Sequence, residues 1–121
     1  MSKVLVIAEH GGGKLNISTA RTLACAAELG EVDILVAGEG DALDAICGQA
    51  AALDGVARVL KLAGAHNAQL LAATLAPQVV ALAAGYTHVL GPSTTFGKDL
   101  MPRVGALLGV PPITDLSLIH I

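Results

Sequence analysis

The sequence predicts an α/β fold of the doubly wound type, with a mostly parallel sheet and helices on both faces. Short runs of β-branched and aliphatic residues alternate with longer segments of helical period. The first run, KVLVIA at residues 3–8, is apolar without interruption, which is typical of a parallel strand buried on both faces. The connections are short, and right-handed crossovers between parallel strands place helices on both sides of the sheet.

Five strands are predicted where the β-branched runs occur, at residues 3–8, 31–37, 56–62, 87–90 and after residue 112. The third strand carries Arg58 and Lys61, so we expect it at an edge of the sheet. The pattern predicts a Rossmann-like sandwich, in the manner of adenine-nucleotide hydrolases, within one domain at residues 1–115. The run LSLIHI at residues 116–121 stops without a turn or a polar tail, and we expect it to be truncated or non-native.

Caps and glycine stops delimit the helices. Asn16 or Ser18 is predicted to cap the first helix. Thr74 is predicted to cap a later helix that holds Pro77 in its first turn, where the missing N–H has no intrahelical partner.

The composition excludes two classes of protein. The net charge is −3 and the chain has one Tyr, one Phe and no Trp, so a nucleic-acid surface with basic clusters and stacking aromatics is not expected. Residues 62–97 carry no Lys, Arg, Asp or Glu. That run is nevertheless broken by prolines and amide side chains and lacks basic flanks, so we expect no membrane insertion.

The two cysteines and the start of the chain indicate the cellular compartment in which the protein is expected. Cys25 and Cys47 lie within helical patterns on apolar faces and form no CxxC motif, so we expect both to be buried in a reducing environment. The apolar start at residues 4–8 is too short for a signal peptide. A bacterial-type cytoplasmic location is therefore expected.

The loop between the fourth strand and the helix at about residues 96–108 is the predicted binding position. It lies at the carboxyl end of a strand and the amino end of a helix, where backbone N–H groups attract anions. Its hydroxyls, glycine and lysine suit an anion or nucleotide cradle, but they suit a helix-capping loop better. The residues concerned are Ser93, Thr94, Thr95, Gly97 and Lys98.

Familiar nucleotide motifs fit this sequence poorly. A Walker A loop has four residues between its first glycine and its Gly-Lys pair, whereas five residues separate Gly91 from Gly97 here. In addition, Asp99 stands where that motif needs a Mg²⁺-binding hydroxyl. The glycines after the first strand do not have GxGxxG spacing. His10 lies beside these glycines. A lone histidine at the edge of a loop is more often a structural hydrogen-bonding residue than a base or a ligand. No catalytic or metal-binding residue is predicted, because no nucleophile–base pair or histidine spacing supports one.

A known family shares several stretches of this sequence. YTHVLGPSTTFGKDLMPRVGALLGVPPITD at residues 86–115, VLVIAEH at residues 4–10 and LVAG at residues 35–38 resemble the amino-terminal domain of the electron transfer flavoprotein alpha subunit. The most specific part is FGKDLMPRVGALL with the PITD that follows it. The resemblance covers about residues 3–115.

The resemblance implies a scaffold domain in an FAD-containing heterodimer of alpha and beta subunits. Such a heterodimer passes electrons from flavin dehydrogenases, such as the acyl-CoA dehydrogenases of fatty acid β-oxidation, to a membrane-bound quinone oxidoreductase. FAD belongs to a carboxyl-terminal alpha domain that this chain lacks, and AMP belongs to the beta subunit. No FAD-binding residue is therefore expected here, and the chain is an electron-carrier fragment rather than an enzyme. The alternative is a stand-alone AMP- or ATP-binding domain of the universal-stress type.

Overall fold

The computed structural model describes residues 3–11, 14–38, 41–64, 72–92, 94–109 and 118–120. Strands and helices alternate as the sequence predicts, except for two short strands at residues 10–11 and 14–15 that were not predicted. In chain order they are β1 (Lys3–Ile7), β2 (His10–Gly11), β3 (Lys14–Leu15), α1 (Ile17–Ala27), β4 (Glu31–Gly38), α2 (Asp41–Ala51), β5 (Val56–Ala63), α3 (Ala72–Ala83), β6 (His88–Leu90), α4 (Thr95–Leu108) and β7 (Leu118–His120).

The main sheet has the strand order β5-β4-β1-β6-β7. The first four of these strands pair in parallel, and β7 pairs antiparallel with β6. The predicted doubly wound α/β fold is confirmed. Within the described residues β5 is an outer strand with exposed Arg58 and Lys61, as predicted for an edge. The division predicted at residue 115 falls outside the described residues and stays a prediction.

The four parallel strands of the sheet send alternate side chains to two separate cores. From β1, Val4 and Val6 join Leu23 of α1 and Ile46 of α2 on one face. The odd-numbered residues of β1 and β4 face α3 and α4, where the largest buried side chains are Leu5, Ile7, Leu35, Leu75, Leu100 and Met101. This two-sided burial explains why KVLVI is apolar throughout.

Helix α4 has defined signals at both ends. Thr94 is its N-cap, and Gly109 is its C-cap in the left-handed conformation, with φ 72°. Pro102 lies in its interior and cannot donate to the carbonyl of Lys98. Both residues lie on the exposed side of the helix, where water can bind that carbonyl. The helix therefore tolerates a proline that a buried face would not.

Two predictions about the helices are wrong. Helix α3 begins at Ala72, so Thr74 lies inside it rather than capping it, and Pro77 lies beyond the first turn. Cys25 is exposed, because α1 turns Thr22 and Ala26 toward the sheet instead, and Cys47 is only half-buried. None of the described helices is long and apolar enough to cross a bilayer.

Candidate functional site

The parallel sheet changes winding direction between β1 and β6. Helices α1 and α2 cover one face, and α3 and α4 cover the other, so the loops that follow these two strands diverge. We call the space between these loops, residues 8–9 on one side and 91, 92 and 94 on the other, the β1–β6 crevice. Open α/β sheets bind ligands at this position. The crevice is therefore the candidate site that the fold itself provides.

Thr94 and Glu9 connect the two sides of the crevice. Thr94 Oγ1 donates to Glu9 Oε2 at 3.1 Å and accepts from the backbone N–H of Gly97 at 3.3 Å. The hydroxyl thus caps α4 and binds the carboxylate at the same time. Because it has one proton and Glu9 accepts it, Thr94 in this state has none left to donate to a phosphate.

Glu9 is fixed to the start of α1 by its backbone. Its N–H donates to Thr19 Oγ1 at 3.0 Å, and its carbonyl accepts from the N–H of Asn16 at 2.8 Å and from Thr19 Oγ1 at 3.2 Å. Its second carboxylate oxygen, Oε1, is buried and has no hydrogen-bond partner. Glu9 therefore joins the end of β1 to the starts of both α1 and α4.

Two glycines bring the β6 loop against α4. A β-carbon at Gly97 would lie 1.7 Å from the carbonyl oxygen of Pro92, and one at Gly91 would lie 2.8 Å from the side chain of Met101. At Gly97 the obstruction is backbone, so only glycine permits the approach, whereas a side chain at Gly91 would require Met101 to shift. The packing accounts for both glycines without a ligand.

The remaining predicted site residues are spread around the loop. Thr95 and Lys98 are exposed, and Ser93 lies outside the described residues. On the other side of the crevice, His10 is in a short antiparallel pair of β2 with β3, and its Nε2 lies 2.5 Å from the carbonyl oxygen of Ala37. His10 therefore makes a structural hydrogen bond, as expected. The structure brings Thr94 and Gly97 together in the cap but does not turn Thr95 inward.

The charge at the crevice is unfavourable for a phosphate. Two like charges about 4 Å apart repel by about 4 kcal/mol at an effective dielectric constant of about 20. A helix amino end stabilises an anion by about 0.3–1 kcal/mol, or about 2 kcal/mol in partly buried geometry. Repulsion by Glu9 is the larger effect, so this arrangement disfavours a phosphate in contact with Thr94.

A second polar cluster lies at the other end of the parallel strands, near their amino termini. Asp33 of β4 is 1% exposed and accepts hydrogen bonds from Arg58 Nη2 at 2.8 Å and Tyr86 Oη at 2.6 Å. The Lys3 ammonium lies 5.8 Å from the centre of the Tyr86 ring. Burial opposes ionisation of Asp33, but the hydrogen bonds from Arg58 and Tyr86 outweigh it and lower the pKa. This cluster links three strands and contains no nucleophile–base pair.

A groove of about 520 Å³ runs beside α1, toward the end of β6. Two of the exposed large apolar side chains, Ile17 and Leu29, line it, together with exposed Cys25. Ser18 Oγ, which is buried and has no hydrogen-bond partner, also lines it. Among the described residues, no three His, Cys, Asp or Glu side chains are placed to hold a metal ion.

Comparison with known proteins places this arrangement in a family. The sequence profile of the electron transfer flavoprotein domain matches residues 4–121. The chain belongs to the electron transfer flavoprotein domain family. It is 41% identical over 114 residues to the electron transfer flavoprotein subunit alpha of Pseudomonas aeruginosa, covering 93% of this chain and 36% of the relative.

Two further electron transfer flavoprotein relatives show the same coverage. The alpha subunit of Paracoccus denitrificans is 40% identical over 117 residues, which are 96% of this chain and 37% of the relative. The mitochondrial alpha subunit of Arabidopsis thaliana is 38% identical over 118 residues, 93% of this chain and 32% of the relative. The chain thus corresponds to about a third of an electron transfer flavoprotein alpha subunit, and the predicted family is confirmed.

Sequence reasoning did not find the contribution of Glu9 to this electron transfer flavoprotein domain. The cap-forming composition of the β6 loop was visible, but the partner of Thr94 is 85 positions away along the chain. One signal was available. Helix α4 has no acidic residue in its first turn, so a carboxylate from another element was a plausible companion for its amino end.

Proposed function

We propose that this chain is the scaffold domain of an electron transfer flavoprotein alpha subunit, within a heterodimer that carries electrons between enzymes. The domain provides a rigid α/β support for redox chemistry located in the remainder of the complex. The observation that carries the proposal is the match itself, which covers 93% of this chain but 36% of the Pseudomonas aeruginosa alpha subunit.

The surface of the domain supports an assembled role. Ile17 is 69% exposed and Leu29 is 38% exposed, and both line the groove beside α1. Exposed apolar side chains around one groove are typical of a surface that another part of an assembly covers. Either the remainder of the alpha subunit or a beta subunit is expected to bind there, and the isolated chain is expected to be poorly soluble.

The cofactors and exchange partners are part of this proposal. FAD binds to the portion of the full-length subunit that this chain lacks, AMP binds to the beta subunit, and no residue of this chain is catalytic. Flavin dehydrogenases donate the electrons and a quinone oxidoreductase accepts them. The domain at residues 1–115 acts in the cytoplasm.

The experiment compares this chain with the full-length alpha subunit encoded by its parent gene, each co-expressed with the beta subunit. The full-length pair is expected to purify with the visible absorbance of bound flavin, and this chain with none. Flavin bound stoichiometrically by this chain would contradict the proposal. Failure of the full-length pair to form a complex would contradict the heterodimer.

A stand-alone nucleotide-binding domain is the second candidate function, because the β1–β6 crevice is where such folds bind ligands. Lys98 then provides the phosphate contact, and Lys98→Ala is expected to weaken AMP and ATP binding. Under the scaffold proposal neither nucleotide binds, and the variant changes stability by less than about 0.5 kcal/mol because Lys98 is exposed. Calorimetric titration with both nucleotides separates the two functions.

A further inference from the structure

The start of α4 carries an acidic partner from a distant part of the chain. Its first turn contains no acidic residue, yet the carboxylate of Glu9 lies 3.1 Å from the hydroxyl of its N-cap, Thr94. Negative charge at this position is favourable because the N–H groups at a helix start are partly positive. In folds of this type an anionic ligand commonly supplies that charge.

Glu9 is held in this position by contacts that do not involve α4. Its backbone makes three hydrogen bonds, to Asn16 and Thr19 at the start of α1. The remaining carboxylate oxygen, Oε1, is buried in the crevice without a donor. The backbone of Glu9 is therefore anchored independently of α4, with its carboxylate beside Thr94.

We infer that the carboxylate of Glu9 is a built-in anion that occupies the β1–β6 crevice and makes this domain reject phosphate-bearing ligands. A phosphate at the start of α4 would find the Thr94 proton already donated to Glu9 and would be repelled by the charge of that carboxylate. Glu9→Gln is expected to remove the charge, and Glu9→Ala both the charge and the acceptor of the Thr94 proton, while the cap on the N–H of Gly97 stays in place. This inference concerns the crevice alone and does not depend on the electron-transfer proposal.

The test measures thermal unfolding of the 121-residue chain in increasing concentrations of inorganic phosphate, with sodium chloride at matched ionic strength as reference. Glu9→Gln keeps the shape and the acceptor oxygen but removes the charge. A ligand that binds only the folded state raises the melting temperature in a saturable manner. We expect phosphate to raise the melting temperature of Glu9→Gln, with an apparent affinity at least about tenfold higher than for the unaltered chain.

The matched control is Asp99→Asn, which removes one negative charge from the exposed surface of α4. It is expected to behave like the unaltered chain. Glu9→Ala is the second variant, for use if the glutamine variant does not fold, and the same phosphate response is expected of it.

Two outcomes overturn the inference. The first is saturable stabilisation of the unaltered chain by phosphate, which needs no variant and would mean that the crevice already accepts anions. The second is a folded Glu9→Gln or Glu9→Ala that responds to phosphate no more than to chloride. Glu9 would then serve only as a hydrogen-bonding link to Thr94.

Discussion

Gly97 and Pro92 lie so close that a β-carbon on Gly97 would stand 1.7 Å from the carbonyl oxygen of Pro92. The first turn of α4 thus packs directly on the backbone of the loop that leaves β6. Because the obstruction is backbone, no rotation of a side chain relieves it. This contact fixes the geometry of the β1–β6 crevice on the side of α4.

Replacing Gly97 with alanine is therefore expected to lower the free energy of unfolding by about 3 kcal/mol or more. The matched control is Gly48→Ala in α2, where a β-carbon meets nothing within 4 Å. Alanine has the higher helix propensity, so this control is expected to gain about 0.5–1 kcal/mol. Urea denaturation measures both. Equal effects of the two substitutions would contradict the close packing at Gly97.

Thr94→Ala removes the N-cap of α4 and the hydrogen bond to Glu9 together. We expect the free energy of unfolding to fall by about 1–3 kcal/mol, because the half-buried Glu9 carboxylate also loses its donor. Thr95→Ala is the control one position along the chain, on an exposed residue. It should change stability by less than about 0.5 kcal/mol. A neutral Thr94→Ala would show that the cap and the link to Glu9 contribute little.

Acid should weaken the domain through Asp33. Burial raises the pKa of this carboxyl, but the hydrogen bonds from Arg58 and Tyr86 outweigh burial, so its folded-state pKa lies below the ordinary value of 3.8. Its stabilisation is complete above pH 3.8 and is lost as pH falls through the lower folded-state pKa. Asp33→Asn is expected to lose about 1–3 kcal/mol near neutral pH and to lack this acid-dependent loss.

The measurement for Asp33 is urea denaturation across the acid range. Asp54→Asn, in an exposed turn, is the control, and it should follow the unaltered chain at every pH. An Asp33→Asn variant with the same loss on acidification as the unaltered chain would show that other carboxyls govern the acid limit.

Alkali should weaken the domain through Tyr86. Burial, and then the hydrogen bond to Asp33, raise the pKa of Tyr86 from 10.0 to about 12. The folded state favours the neutral phenol, so this stabilisation is present below pH 10 and declines as pH rises from 10 toward 12. The chain has one Tyr and no Trp, so phenolate absorbance reports Tyr86 alone. Ionisation of Tyr86 near pH 10 in the folded protein would contradict the burial of its hydroxyl. The variant Tyr86→Phe should lack this alkaline loss of stability.

The order of the elements was predictable because each depends on local sequence. KVLVI is apolar at every position since both faces of β1 are covered, and the glycine at position 109 ends α4 where the helical period stops. The edge position of β5 followed from Arg58 and Lys61 in the same way. Such features need no knowledge of distant residues.

The contacts that define the two polar clusters were not predictable, because they join residues far apart in the chain. In the sequence, Asp33 is only one polar position in a strand. Its role becomes visible when the fold brings Tyr86, 53 positions away, beside it. Cys25 was wrongly expected in the core since Ala, Thr and Cys are similar in size and leave the buried face of α1 ambiguous. Thr74 was a valid cap in composition, but α3 begins earlier and includes it.

Native mass spectrometry of the purified 121-residue chain tests the scaffold proposal most directly, because it detects any bound nucleotide or flavin by mass. Under the scaffold proposal the chain is expected to carry none of AMP, ATP and FAD, even when each is added in excess, because flavin is proposed to bind outside this chain and Glu9 is inferred to occupy the crevice. A stoichiometric adduct of AMP or ATP that Lys98→Ala abolishes would contradict the scaffold role and identify a nucleotide-binding domain.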